Sequence, residues 1–263
     1  DWSSDVCSSD LVKVTPDNHV QAFYIDSNKL ICDCYDKDSL AFEPTAVAMN
    51  TTTVTPQNQK ANETVTVAVG TKQGTIMLWD INNQKLIHTF SVAVPVNTLL
   101  FHGTKLFVGT PSDSLTIVDL TTQSTSTLKC DKNGVTALAV VGDTLVAASV
   151  DMRLFKLSTL ERFMKQTIHL DCIRGVVPLS ETMYLSYSGE RHIFLCNTES
   201  SSQTHCFATD ASPVAVDGLF IDKDTLLVGA LLQNNTVDVW LQKVTMKSTK
   251  PIVPGCRIST SDC

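Results

Sequence analysis

Apolar and polar side chains alternate along Val65-Thr-Val-Ala-Val-Gly70, break at Thr-Lys-Gln-Gly74, and resume through Thr-Ile-Met-Leu-Trp79-Asp80. A period of two sends one set of side chains to one face of a strand. Gly74 in the break accepts the positive φ that a tight hairpin turn needs. The segment therefore predicts two antiparallel strands joined at Lys72 to Gly74, the second ending in Trp79-Asp80.

The same design returns five times. Leu106 to Gly109 leads into Leu115 to Asp119, and Leu145 to Ser149 leads into Met152 to Phe155. Met183 to Ser186 passes through Ser188-Gly189-Glu190 into His192 to Cys196, and Leu226 to Gly229 passes through Gln233-Asn-Asn into Thr236 to Trp240. A shortened copy, Pro16-Asp-Asn then His19 to Phe23, opens the series. The hairpins are placed near residues 12–24, 65–80, 105–120, 144–157, 182–197 and 225–241. Equivalent positions Phe23, Trp79, Val118, Phe155, Cys196 and Trp240 are separated by 56, 39, 37, 41 and 44 residues. All steps but the first sit near the roughly 40–45 residues of a four-stranded propeller blade. The long first step contains residues 50–64, a Thr/Asn/Gln-rich stretch without apolar period, which reads as an inserted polar loop.

A further apolar strand precedes each later hairpin: Val96 to Phe101, Val135 to Val141, Ile173 to Leu179 and Val214 to Phe220. No apolar stripe of 3.6-residue period is sustained over three turns. One blade cannot cover both faces of its own sheet, so stacked blades must supply the core. The fold class expected is all-β, a β-propeller of seven blades when complete. The fragmentary first copy and Ile252 to Ser259, read as the opening strand of a further blade, suggest a ring cut at both ends.

Composition narrows this only a little. The chain has 263 residues, 43% of them hydrophobic and 18% charged, enough for one large domain. Asp1 to Leu11 has no period and no signal-peptide pattern. It resembles the translation of a short sequencing adapter, so the propeller is expected to begin at residue 12. Without Asp1, Asp5 and Asp10 the formal charge moves from −7 to −4, a weak argument against bulk nucleic-acid binding. The cysteines are scattered without metal-ligand spacing, as in a reducing compartment, and Cys32 and Cys34 share one face of a strand. No apolar run is long enough for a bilayer helix.

Candidate chemistry is sparse. No histidine stands beside a serine or cysteine in a nucleophile motif. His169-Leu-Asp171 could pair a histidine with an orienting carboxylate. Gly70 and Gly74 do not frame a phosphate loop, since no Lys-Ser/Thr pair opens a helix. Asp80 and Asp119 end strands, where they satisfy turn amides, and Asp222-Lys-Asp224 reads as a solvated turn. No enzyme activity, cofactor or metal is expected. Lys243, Lys247, Lys250 and Arg257 crowd the stretch after the last hairpin, and Arg153, Lys156, Arg162 and Lys165 form a looser group. Such groups serve either as phosphate contacts along an RNA backbone or as a solvated face.

Gly70 to Asp80 resembles the WD40 repeat, and the likeness extends from about Val14 to Trp240. Its structural markers are Gly70, Gly74, Trp79, Asp80, Gly109, Phe155, Gly189, Gly229 and Trp240. The Gly-His pair usual before the inner strand is missing, with His169 standing where a blade's capping histidine lies. Several motifs in order are Thr15-Pro-Asp-Asn-His-Val, Val69-Gly-Thr-Lys-Gln-Gly-Thr-Ile and Lys129-Cys-Asp-Lys-Asn-Gly-Val-Thr-Ala-Leu. They continue with Arg153-Leu-Phe-Lys-Leu-Ser-Thr-Leu-Glu, Tyr184-Leu-Ser-Tyr-Ser-Gly-Glu-Arg, Val237-Asp-Val-Trp240 and Cys256-Arg-Ile258. Together they resemble the U-three-associated WD-repeat subunits of the small-subunit processome. That resemblance implies a nucleolar, non-catalytic scaffold for transcription and processing of the small-subunit ribosomal RNA precursor. Its partners would be other protein subunits and the precursor RNA, with no membrane and no small-molecule substrate. The open alternative is a WD-repeat adaptor in signalling, ubiquitin ligation or trafficking.

Overall fold

The computed structural model of the chain describes the backbone at residues 2–3, 10–14, 20–24, 29–33, 43–54, 62–130, 132–244 and 251–259, with side chains at 20–22, 43–51, 64–130, 132–244 and 251–259. All regular secondary structure among them is strand, arranged as six four-stranded antiparallel meanders. The chain divides into two compact units, Asp1–Asp131 and Lys132–Cys263.

In the first unit, sheet one holds β1 (Trp2–Ser3), β2 (Asp10–Val14), β3 (Val20–Tyr24) and β4 (Lys29–Asp33). Sheet two holds β5 (Pro44–Val54), β6 (Asn62–Thr71), β7 (Thr75–Asp80) and β8 (Lys85–Ser91). Sheet three holds β9 (Thr98–His102), β10 (Lys105–Gly109), β11 (Ser114–Asp119) and β12 (Thr125–Lys129). In the second unit, sheet four holds β13 (Ala137–Val141), β14 (Thr144–Ala148), β15 (Met152–Lys156) and β16 (Arg162–Gln166). Sheet five holds β17 (Ile173–Pro178), β18 (Met183–Ser188), β19 (His192–Asn197) and β20 (His205–Ala208). Sheet six holds β21 (Pro213–Phe220), β22 (Thr225–Leu232), β23 (Thr236–Lys243) and β24 (Cys256–Ser259). The six hairpins read from the sequence fall on the second and third strands of the six sheets.

Middle strands are apolar on both faces, and this is what stacks the sheets. In β6, Val65, Val67 and Val69 pack with Val20, Ala22 and Met77, while Ala68 points the other way, to Leu78, Val96 and Leu106. In the second unit, Val146 and Leu154 meet Tyr184, Phe194 and Cys196 between sheets four and five. Leu185, Leu195 and Phe207 meet Leu226, Val228 and Trp240 between sheets five and six. A fully buried Val or Leu contributes roughly 1.5–3 kcal/mol relative to an exposed one. A lone sheet would forfeit half of that, so the sheets are stable only as a stack.

Within each unit, first strands of successive sheets lie side by side: β5 beside β9, β13 beside β17, and β17 beside β21. A recurring hydroxyl joins them. Thr45 Oγ1 donates to Val96 O at 2.5 Å and to Gly70 O at 3.2 Å. Thr136 Oγ1 repeats the motif with Ile173 O at 2.6 Å and Ala148 O at 3.2 Å. The amides of Val96 and Ile173 return bonds to Thr71 O and Ser149 O. Gly70 is fixed at this junction because a Cβ there would run into Val96. Gly74 has φ 84°, the left-handed value its turn requires.

Two sequence expectations are revised. Residues 50–64 are not a loop throughout: pairing runs from Asn50↔Thr66 to Val54↔Asn62, leaving only 55–61 outside the described residues. Thr51 to Thr53 lack an apolar period, yet β-branched side chains suit a pleated strand whatever their polarity. Cys256–Ser259 does not open a further sheet; it pairs with β23 as the fourth strand of sheet six. An edge strand offers a row of unpaired amides and carbonyls, and the nearest chain takes it. Trp2–Ser3 and Asp10–Leu11, in the stretch set aside as foreign, also pair within sheet one.

Candidate functional site

Of the basic residues after the last hairpin, Lys243 and Arg257 are described, and they are placed differently. Lys243 is exposed at the end of β23, facing the Asp222 turn. The Asp222 carboxylate accepts the amides of Asp224 and Thr225 at 2.9 and 2.8 Å. Bonds from Asp224 first, then Thr225, hold its carboxyl below the usual range, and Lys243 adds its charge. Lys247 and Lys250 lie outside the described residues. Arg257 is already engaged: Nε donates to Asp238 Oδ1 at 2.5 Å, Nη2 to Asp238 Oδ2 at 2.8 Å, and Nη1 to Asp210. Asp238 is fully buried, so this guanidinium neutralises a carboxylate of the fold and is not presented to a phosphate.

The looser group divides in the same way. Arg153 is buried 3.5 Å from Asp151, and Lys165 stands 2.7 Å from it. Burial raises the Asp151 carboxyl, but bonds from Lys165 and Thr167 and the two positive charges outweigh it and leave the pKa lowered. Lys156 and Arg162 are exposed.

The most connected polar cluster is one the sequence only half revealed. His169, on the loop between β16 and β17, is 2% exposed. Its Nδ1 meets Glu190 Oε1 at 2.6 Å and its Nε2 meets Ser186 Oγ at 2.9 Å. Glu190 Oε1 also accepts Leu170 N and Ser188 Oγ. The orienting carboxylate is thus Glu190, on the β18–β19 turn, and not Asp171, whose Oδ1 caps the Cys172 amide. A Ser–His–Glu chain has the connectivity of an acyl-transfer triad. Burial decides against that use: Ser186 is 0% exposed, so no substrate carbonyl can reach its Oγ. Neighbouring Cys196 is no better placed, since burial pushes its thiol up to about 12. The cluster fastens the 167–172 loop to sheet five. Burial lowers the pKa of His169, against the bond and charge of Glu190.

The repeat markers take structural places. Trp79, Phe155 and Trp240 lie in third strands, as do Phe23, Val118 and Cys196. Asp80 accepts Asn83 N and Nδ2 at 3.0 and 2.8 Å, and Asp119 accepts the amides of Thr121 and Thr122, each at 2.9 Å. Gly109 closes β10 and accepts Asn97 N. A Cβ on Gly189 would meet the Asp171 carboxylate, whereas Gly229 has open space where its Cβ would be. Among the described residues no group of three His, Cys, Asp or Glu could hold a metal, and no helix is long and apolar enough to cross a membrane.

The chain matches no protein-family model and no curated protein. It does match solved structures. One is a chain of the crystal structure of the mitotic checkpoint complex, at 14% identity and TM-score 0.69, covering 92% of this chain and 76% of that one. Another is the structure of U3-55K, at 14% identity and TM-score 0.68, covering 94% and 78%. A third is the computationally designed Ika8 protein, at 14% identity and TM-score 0.60, covering 94% and 84%. At such identity the likeness concerns the fold. Six four-stranded meanders with two-faced middle strands, on this shared architecture, make the chain an all-β protein of the WD40-type β-propeller fold.

Proposed function

We propose that the chain is a non-catalytic scaffold of the nucleolar machinery that transcribes and processes the small-subunit ribosomal RNA precursor. The observation that carries this reading is the order of motifs from Thr15 to Ile258. It resembles the U-three-associated WD-repeat subunits of the processome, in particular the fifth in yeast nomenclature. The fold likeness to U3-55K supports it. In this reading rigid blades present loops to other protein subunits. Lys243, with Lys247 and Lys250, supplies sequence-independent contacts to precursor RNA; no cofactor, small-molecule substrate or membrane takes part. Arg257 is left out because its guanidinium serves Asp238 and Asp210.

A second reading, an interaction adaptor in another pathway, is favoured by the equal likeness to a chain of the mitotic checkpoint complex. Affinity purification of the tagged full-length protein separates the two. Recovery of processome subunits with small-subunit precursor RNA is expected; a different coherent set of partners without that RNA would transfer the function to the adaptor reading. Changing Lys243, Lys247 and Lys250 together to Gln is expected to weaken RNA binding and to reduce the slope of log K against log salt by about 0.7–0.9 per lost phosphate contact. An unchanged salt slope would remove RNA contact from the proposal.

A further inference from the structure

Sheet five ends on β20, yet that edge is not bare. Ile252 lies along it as a parallel bridge to Phe207. Ile252 N donates to Cys206 O at 2.7 Å, and Ile252 O accepts Ala208 N at 2.9 Å. The same carbonyl accepts the indole Nε1 of Trp240, on β23 of sheet six, at 3.2 Å. The Ile252 side chain packs against the cluster containing Phe207 and Trp240, whose rings meet edge to face at 5.7 Å. One residue is thus read through its N–H, its carbonyl and its aliphatic side chain, the three handles by which a sheet edge captures an extended peptide.

Beyond the Ile252 bridge the segment 251–259 makes no further described ladder with β20. Pro254, whose nitrogen would be the next to face β20, has no N–H and cannot extend the ladder after the bridge. Val253 is 73% exposed, and Cys256, Arg257 and Ile258 are also exposed. Beyond Ile252 the segment is retained by Gly255 N to Val239 O, by the pairing of β24 with β23, and by Arg257 on Asp238 and Asp210.

We propose that the β20 edge together with the Trp240 indole is a docking site for an extended aliphatic segment of a partner protein, filled here in cis by the displaceable strap 251–259. The displaced strap would strip buried Asp238 of its guanidinium. An incoming segment must therefore bring its own arginine, at the spacing of Arg257 from Ile252: an Ile or Val followed five residues later by Arg. A strap that is open a tenth of the time weakens the partner's apparent affinity about tenfold. This inference concerns a protein-binding edge in the second unit and stands apart from the ribosomal reading.

The probe is a labelled peptide, Lys-Pro-Ile-Val-Pro-Gly-Ser-Arg-Ile-Ser, titrated against the full chain by fluorescence anisotropy. The Ile252→Asp chain is expected to bind it about tenfold more tightly than the unaltered chain. Trp240→Phe, made on that background, keeps the ring, loses the indole donor and is expected to bind several-fold more weakly. Peptides with Asp for Ile, or Gln for Arg, are expected not to bind. A folded Ile252→Asp chain that ignores the peptide, or binding indifferent to Trp240→Phe, would overturn the proposal. Should Ile252→Asp fail to fold, native-state hydrogen exchange on the unaltered chain decides. Amides of Ile252, Ala208 and Gly255 are expected to exchange through a local opening that leaves β22 protected, and exchange only with β22 rejects the strap.

Discussion

Tyr184→Phe removes a single oxygen from the middle of the second unit. Tyr184 and Gln166 are both 0% exposed, and the Tyr184 hydroxyl donates to Gln166 Oε1. Gln166 Nε2 in turn donates to Asn197 O at 2.8 Å and to Ser200 O. A side chain on the outer strand of sheet four thereby ties together a middle strand of sheet five and the turn after β19. Phenylalanine preserves the ring and its packing, so the loss is confined to one buried acceptor left without its donor. Such a group costs about 1–3 kcal/mol. Urea unfolding followed by far-ultraviolet circular dichroism would read this as a lower midpoint at unchanged slope. In a double-mutant cycle with Gln166→Leu the two changes should couple by at least about 0.5 kcal/mol, because both break the same bond. Burial pushes the Tyr184 phenol far above its ordinary value, so it remains a donor and the loss should be the same at pH 6 and pH 9. A loss under about 0.5 kcal/mol, or strict additivity with Gln166→Leu, would refute the bridge.

Other outcomes follow from the same structure. Thr136→Val keeps the shape of the side chain but removes its bonds to Ile173 O and Ala148 O, and should lower stability by about 1–2 kcal/mol in the same urea assay. His169 binds a proton less readily folded than unfolded. Its contribution is therefore intact above the ordinary histidine value near 6.5 and is lost as pH falls below it, which a melting series from pH 8 to pH 5 should show. Glu190→Gln, which deletes the carboxylate opposing that shift, should steepen the acid loss. Gly175→Ala would drive a methyl into the Tyr187 ring and should cost about 1–3 kcal/mol, whereas Gly229→Ala meets nothing and should be neutral or gain about 0.4–1 kcal/mol by thermal melting.

The hairpins were legible because strand alternation and turn glycines are local. Val65 to Asp80 carries its own instructions, and each later copy repeats them within about 15 residues. The polar cluster was less legible. His169 stood out, but its nearest carboxylate in sequence was Asp171, while the one that reaches its ring is Glu190, 21 residues away on another turn. Ser186 looks like an ordinary strand serine until the loop folds over it. The partner of Arg257 was hidden for a related reason. In sequence it belongs with Lys243, Lys247 and Lys250, and nothing nearby marks Asp238 as its partner across β23 and β24.

By itself, then, the sequence determined the all-β class, the hairpins and the repeat of about 40 residues, since these depend on periodicity over a few neighbours. Only the tertiary structure decided where marginal segments pair. Thr51 to Val54 and Cys256–Ser259 have strand-compatible side chains but no pattern naming a partner, and an open sheet edge claims whichever chain lies beside it. It also decided the use of charge: a carboxylate is a surface group or a buried anchor according to what is stacked on it, as Asp238 and Glu190 show, and stacking is set by residues far away along the chain.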